Sequence, residues 1–255
     1  MKARTLIIRA PGTNCDAETA CAFERAGAGV SLVHINRLIG GEERLADYQI
    51  MAIPGGFTYG DDLGAGKIFA VKIQQYLKDA FLEFIDGGGL VLGICNGFQI
   101  LVKAGLLPDP HANGAAATLT NNDNGRFEDR WIHLRPNPST NCVFIRGLTE
   151  AISLPIAHGE GKFVFRDESA RNAMRAGNQI ALQYCAPTGA DASGDENPNG
   201  SDLDIAGICD PTGRILGMMP HPERAAFTHQ YPDWRTAPRE PEGLAFFRNS
   251  VVYFK

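Results

Sequence analysis

The chain has 255 residues, 44% of them hydrophobic, with a formal net charge of −5. That length can bury a large core and fits one α/β domain spanning 1–255, while the acidic balance, with no basic block, argues against nucleic acid as a partner. No apolar run reaches membrane-spanning length, no leader-like apolar region follows Met1, and the six cysteines (15, 21, 95, 142, 185 and 209) form no C-x-x-C pair. A cytoplasmic protein with reduced thiols, no structural zinc and no membrane attachment is expected.

Strands and helices alternate in the first half. Thr5–Ile8 reads as a strand, Asp16–Ala26 as a helix stopped by Gly27, Val30–Ile35 as a strand, and Gln49–Ile53 as a strand ending at Pro54-Gly55-Gly56. Ile68, Val71, Tyr76, Ala80 and Phe84 predict one helix over Lys67–Ile85, which Gly87-Gly88-Gly89 ends before a strand at Leu90–Ile94. This order builds right-handed βαβ units on a parallel sheet whose ligands gather at the carboxyl ends of the strands. The second half is richer in strands, at Phe127–Leu134, Ile156–Phe165, Ile180–Cys185, Ile205–Cys209 and Ile215–Met219. The turn Asp210-Pro211-Thr212-Gly213 makes a hairpin of the last two. Ala186–Ser201 reads as a long surface loop and Glu242–Tyr253 as a closing helix.

The strand at 90–94 runs directly into Cys95-Asn96-Gly97-Phe98-Gln99. A side chain at a sharp strand-to-helix turn is forced out of the core, and Gly93 and Gly97 let the two backbones crowd there. At a helix N-terminus, unpaired N–H groups and the helix dipole favour thiolate over thiol, so Cys95 is the candidate nucleophile. A merely packed cysteine, the commoner fate, needs no such permissive turn.

A nucleophile of this kind needs a base and a group to orient it. Pro220-His221-Pro222-Glu223 offers both: the prolines disfavour helix, and in an extended segment residues two apart share a face. Glu223 then orients the His221 ring.

The loop from Pro54 to Lys67 fails as a phosphate-binding loop, because Asp61 and Ile68 stand where that motif needs Gly and Ser or Thr. It reads either as an ordinary tight turn or as half of an oxyanion hole, with the N–H groups of Gly55 and Gly56 joining that of Asn96.

These segments, with Pro11-Gly12-Thr13-Asn14-Cys15-Asp16, Ala157-His158-Gly159-Glu160-Gly161 and Pro198-Asn199-Gly200-Ser201, resemble class I (triad) glutamine amidotransferases. Within them the match is closest to the glutaminase subunits of phosphoribosylformylglycinamidine (FGAM) synthase, and it covers most of the chain. The resemblance implies a flavodoxin-like α/β fold with a central mixed, mostly parallel sheet flanked by helices and a β-rich second half. It also implies hydrolysis of L-glutamine through a Cys95 glutamyl thioester, with His221 moving the proton and Glu223 holding His221. Gln99 matches a position that contacts bound glutamine; His158 and Glu160 either line that pocket or face a partner.

The resemblance further implies that ammonia passes to a separate synthetase subunit, sometimes with a small bridging subunit. ATP and magnesium belong to that synthetase, and no cofactor or metal is expected in this chain. The stretch Ala225–Pro241 is longer than many stand-alone subunits carry and is similar to the corresponding stretch in fused enzymes. Two other readings stay open: a cysteine hydrolase of the DJ-1/PfpI type, and a non-catalytic binding subunit with the same fold.

Overall fold

The strands that end at Arg9, at Ile53 before the glycine loop, and at Ile94 before Cys95 lie side by side and point the same way. The computed structural model describes residues 2–255. Its first half contains β1 (Arg4–Arg9), α1 (Asp16–Arg25), β2 (Gly29–His34), the short α2 (Ile35–Ile39) and β3 (Ile50–Ile53). A helical run follows: α3 (Lys67–Lys72), a π-helical turn over Ile73–Leu77, and α4 (Lys78–Asp86). Next come β4 (Leu90–Ile94) and α5 (Asn96–Lys103).

The helical run differs from the single regular helix expected. Val71 and Tyr76 are exposed, whereas Phe69, Ile73, Leu77, Phe81 and Ile85 are buried. These five bulky residues repeat every four positions, which would drift off one face of a regular helix. The wider turn of a π-helix absorbs the drift and keeps them on the sheet.

The second half holds β5 (Ala117–Thr120), β6 (Glu128–Pro136), β7 (Ile152–His158), β8 (Lys162–Phe165), α6 (Glu168–Ala176), β9 (Ile180–Cys185), β10 (Ile205–Cys209), β11 (Ile215–Met218) and α7 (Leu244–Val252). Nine strands form one sheet in the order β2-β1-β3-β4-β11-β10-β9-β6-β7, and β5 with β8 makes a separate antiparallel pair. Pairing is parallel from β2 to β11 and antiparallel beyond. The expected strand at 156–165 is two strands in different sheets, because the chain bends at Gly159 and Glu160 and Gly161 packs so closely on the His158 ring that a Cβ there would strike it.

The 205–218 hairpin forms as read. Asp210 fastens its turn by accepting from Ile215 N at 2.7 Å and Thr212 N at 3.1 Å. That hairpin places β11 against β4, in register from Ile215 beside Val91 to Met218 beside Ile94. Both strands are wholly buried, so the segments leaving their carboxyl ends emerge together. The stretch 225–241 folds back on its own chain: Tyr231 is buried against Trp131 and accepts from Glu242 N at 2.8 Å.

Candidate active site

Cys95 joins β4 to α5 with φ 52° and ψ −106°, a conformation that costs a non-glycine residue on the order of 1–3 kcal/mol. Burial of Phe98, Ile100 and Leu101 on α5 offsets that cost, at roughly 2 kcal/mol for each fully buried side chain. The two flanking glycines are required. A Cβ on Gly97 would strike the Ile53 carbonyl, and one on Gly93 would lie 2.7 Å from the Gly97 carbonyl oxygen. Cys95 N donates to Met218 O at 2.8 Å, which ties the candidate nucleophile to the end of β11. The thiol points to the sheet edge, 3.6 Å from the Ala157 carbonyl oxygen.

From that same edge the chain continues to His221, whose N–H donates to Pro155 O at 2.9 Å. His221 Nδ1 lies 2.6 Å from Glu223 Oε1, with both side chains buried. The extended geometry expected for this pair is not what brings them together. Pro222–Ala225 is a 3-10 turn with Pro222 at its first position, where the missing N–H is of no consequence. Glu223 therefore reaches back to the ring from within the turn. A carboxylate there fixes the proton on Nδ1, leaving Nε2 free; that atom is buried without a partner. Burial alone would lower the pKa of His221, but the Glu223 carboxylate and then the Cys95 and Cys15 side chains outweigh it, so the net shift is upward.

Gly55 explains how these groups fit. A Cβ on it would lie 2.8 Å from His221 Cε1, 3.1 Å from Cys15 Sγ and 3.4 Å from Cys95 Cβ. The sequence reading assigned no role to Cys15, which directly precedes α1 with its thiol beside the imidazole. Arg224 Nη2 lies 3.2 Å from Cys15 Sγ, while Arg224 Nε donates to Glu18 Oε1 at 3.0 Å. The one available signal was position: Pro11–Asp16 leaves the carboxyl end of a parallel strand, where ligands gather.

A cavity of about 180 Å³ opens on Cys95 and is lined by Gly56, Asp61, Gln99, His158 and Glu160. It could hold roughly six waters. A larger one, about 570 Å³ between Arg44, Tyr48, Leu77 and Phe84, lies at the amino ends of the strands and contains no nucleophile, so size does not locate the chemistry. Gln99 is buried, not solvated: its Nε2 donates to Glu160 O at 2.6 Å and its Oε1 accepts from Asn96 Nδ2 at 3.0 Å. Asn96 Oδ1 accepts from Thr58 Oγ1 at 2.6 Å, and Asn96 Nδ2 also donates to Asp61 Oδ1 at 3.1 Å. Burial pushes the Asp61 carboxyl pKa up, partly offset by the Gly66 N–H and Asn96. Glu160 accepts from Ala65 N at 3.2 Å and lies 3.5 Å from Lys103 Nζ. The glycine loop is thus fastened over the cavity.

His158 has a fixed tautomer. Asn122 Nδ2 donates to the carbonyls of His158 and Arg126 at 2.9 and 2.8 Å, and Asn122 Oδ1 accepts from Gly161 N at 3.0 Å. Asn122 Oδ1, 3.1 Å from His158 Nδ1, is therefore an acceptor, and the ring proton sits on Nδ1. Burial, then the charge at His221, lowers the His158 pKa to about 4, so the ring is neutral at pH 7.

A thiol, an imidazole and a carboxylate meeting at one sheet edge suit nucleophilic attack on an acyl carbon. The family profile for the CobB/CobQ-like glutamine amidotransferase domain matches residues 2–254. The chain belongs to that family. Among its relatives, phosphoribosylformylglycinamidine synthase subunit PurQ from Dehalococcoides mccartyi is 46% identical over 254 residues, covering 99% of this chain and 98% of that protein. The subunit of the same name from Methanococcus maripaludis is 45% identical, covering 98% and 97%. A chain of the solved PurLQS structure from Thermotoga maritima superposes with a TM-score of 0.77 at 30% identity, with all of both chains covered. The mixed α/β sheet is thus the expected amidotransferase fold, and no helix among the described residues is long and apolar enough to cross a membrane.

Proposed function

We propose that this chain is the glutaminase subunit of an FGAM synthase, hydrolysing L-glutamine and delivering ammonia to a separate synthetase. The observation that carries the reading is the strained Cys95 turn beside a buried His221–Glu223 pair. Cys95 Sγ attacks the side-chain amide carbon, and the N–H groups of Gly56, Asn96 and Gly55 stabilise the oxyanion. His221 Nε2 takes the Cys95 thiol proton as Sγ attacks and gives it to the departing nitrogen, the C–N bond breaks, and ammonia leaves a glutamyl thioester on Cys95. Water, activated by the same nitrogen, then releases glutamate and restores the thiol. Glu223 keeps the ring in position throughout, while Gln99 and His158 line the pocket that holds the substrate.

The names of the relatives and of the PurLQS structure support a PurL-type synthetase as partner and a role in purine synthesis. On this reading ATP and magnesium act on the synthetase, a small third subunit bridges the two, and the assembly works in the cytoplasm. The deciding experiment is Cys95→Ser in the reconstituted complex. Glutamine-dependent synthesis should be lost while synthesis from high ammonia persists, and wild-type chain quenched in turnover should carry a glutamyl adduct on Cys95. Equal loss of both activities would make the cysteine structural and remove the reading.

A further inference from the structure

We infer that Gln230 and Tyr231 are positioning residues for the reaction: the strap over residues 226–242 holds the Pro222–Ala225 turn, and through it sets where the Glu223 carboxylate meets the His221 ring. The catalytic effect rests on the reading above; the bracing contacts do not. Glu223 needs such support because its own side chain supplies little. One oxygen lies 2.6 Å from His221 Nδ1, and the other, Oε2, is buried without a hydrogen-bond partner. A carboxylate held only by the ring it orients is placed by its main chain.

The strap supplies that placement at two carbonyls. Gln230 Nε2 donates to Glu223 O at 3.2 Å while Gln230 Oε1 accepts from Phe227 N at 2.8 Å, so one amide bridges the turn and the start of the strap. Tyr231 Oη donates to Ala225 O at 3.3 Å and accepts from Glu242 N at 2.8 Å. Gly243 N also reaches Ala225 O, at 3.0 Å, and a Cβ on Gly243 would strike the Pro222 carbonyl. The strap thus leaves the turn and returns onto it. It is tied to the sheet as well: Glu242 Oε2 accepts from Ser153 N at 2.7 Å, and the Tyr231 ring packs on Trp131 with centroids 5.0 Å apart. Trp131 lies directly across the β6–β7 ladder from Pro155, whose carbonyl oxygen holds the His221 N–H. Tyr231 therefore braces His221 from the sheet side and Glu223 from the turn side. Neither Gln230 nor Tyr231 lines the cavity at Cys95, so their loss should reach the chemistry without touching glutamine binding.

The test is Gln230→Met, which keeps the length of the side chain and removes its amide. A misplacement near 1 Å costs on the order of a hundredfold in rate, and a turn freed at one of its two carbonyl anchors should lose about tenfold in kcat, with the KM for glutamine unchanged. Glutamate release by the chain assembled with its synthetase measures both. In a Glu223→Ala background the same substitution should change kcat by less than about twofold, because a residue acting through Glu223 then has nothing left to position. Tyr231→Phe keeps the ring on Trp131 and should show the same split, which carries the test should Gln230→Met fail to fold. A readout free of turnover is the Nδ1 proton of His221. Its short bond to a carboxylate should give a far-downfield proton resonance that disappears in Glu223→Ala and moves upfield in both brace variants. An unmoved resonance in the folded variants, or an equal kcat loss with and without Glu223, overturns the inference. A resonance that moves in a chain inactive toward glutamine would sink only the glutaminase reading.

Discussion

Gln99 and Glu160 are joined side chain to backbone: Gln99 Nε2 donates to the Glu160 carbonyl oxygen at 2.6 Å across 61 positions of sequence. The same Glu160 holds Ala65 N with its carboxylate and faces Lys103. One short turn thus connects the nucleophile helix to the glycine loop over the cavity. Lys103→Met should release that carboxylate and loosen the loop. A partly buried pair of this kind is worth about 1 kcal/mol, so the KM for glutamine should rise roughly fivefold while ammonia-dependent synthesis is unaffected. Unchanged glutamine kinetics would show that the latch does not shape the pocket.

Removing His221 should cost more than removing Glu223. An imidazole without its carboxylate still samples useful geometries, whereas no other buried group replaces the proton carrier. By analogy with serine-protease triads, His221→Ala should lower kcat by on the order of 10⁴-fold or more, and Glu223→Gln should retain roughly ten to a hundred times that residual rate. Single-turnover glutamate release measures both, and near-normal turnover in folded His221→Ala would exclude it from the mechanism.

Gly55→Ala places a methyl 2.8 Å from His221 Cε1. The ring must move, and a displacement near 1 Å costs about a hundredfold in rate. Circular dichroism should report a folded protein with glutaminase activity reduced by that order. An active Gly55→Ala would mean that the ring is positioned with slack.

Stability should fall in acid because of His158. Its pKa is 6.5 when unfolded and about 4 when folded, so between those values the unfolded chain binds the proton and the folded chain does not. Stability is present above pH 6.5 and lost as pH falls toward 4, by about 3 kcal/mol. His221 works the opposite way: its raised pKa contributes stability below pH 6.5 that is lost as pH rises through its folded value. Urea unfolding at pH 7 and pH 4.5 should therefore show a smaller acid loss for His158→Asn than for wild type; identical losses would place the titration elsewhere.

Glutamate release by the isolated chain should be slow and should rise when the synthetase and its substrates are added. Tyr59 and Asp61 carry positive φ within the glycine loop, so the loop is a strained element suited to repositioning. A shift of about 3 kcal/mol toward the competent arrangement raises turnover on the order of a hundredfold. Equal rates with and without partner would refute gating and leave the catalytic assignments standing.

The parallel half of the fold was legible because Gly and Pro punctuate buried apolar runs such as Leu90–Ile94. The α6 helix was not, since Glu168, Arg171 and Arg175 leave it little apolar face; its signal was the cap, where Asp167 accepts from Ala170 N at 2.8 Å. Cys95, His221 and Glu223 were visible from local motifs, although the turn that joins the last two was misread. Cys15 escaped because its partners are far away in sequence, and spatial proximity to His221 leaves no local pattern.

The placement of β11 beside β4 has a consequence for synthesis. A polypeptide growing from its amino end exposes Cys95 long before His221 exists, so under the proposed mechanism a nascent chain carries a thiol with no base and does not consume glutamine. During that interval the Leu90–Ile94 strand has β3 on one side and an open apolar edge on the other, a surface that invites pairing with other chains. Arrival of Ile215–Met218 caps that edge and delivers the imidazole in the same step. Chemical competence and protection from aggregation are therefore acquired together, late in translation.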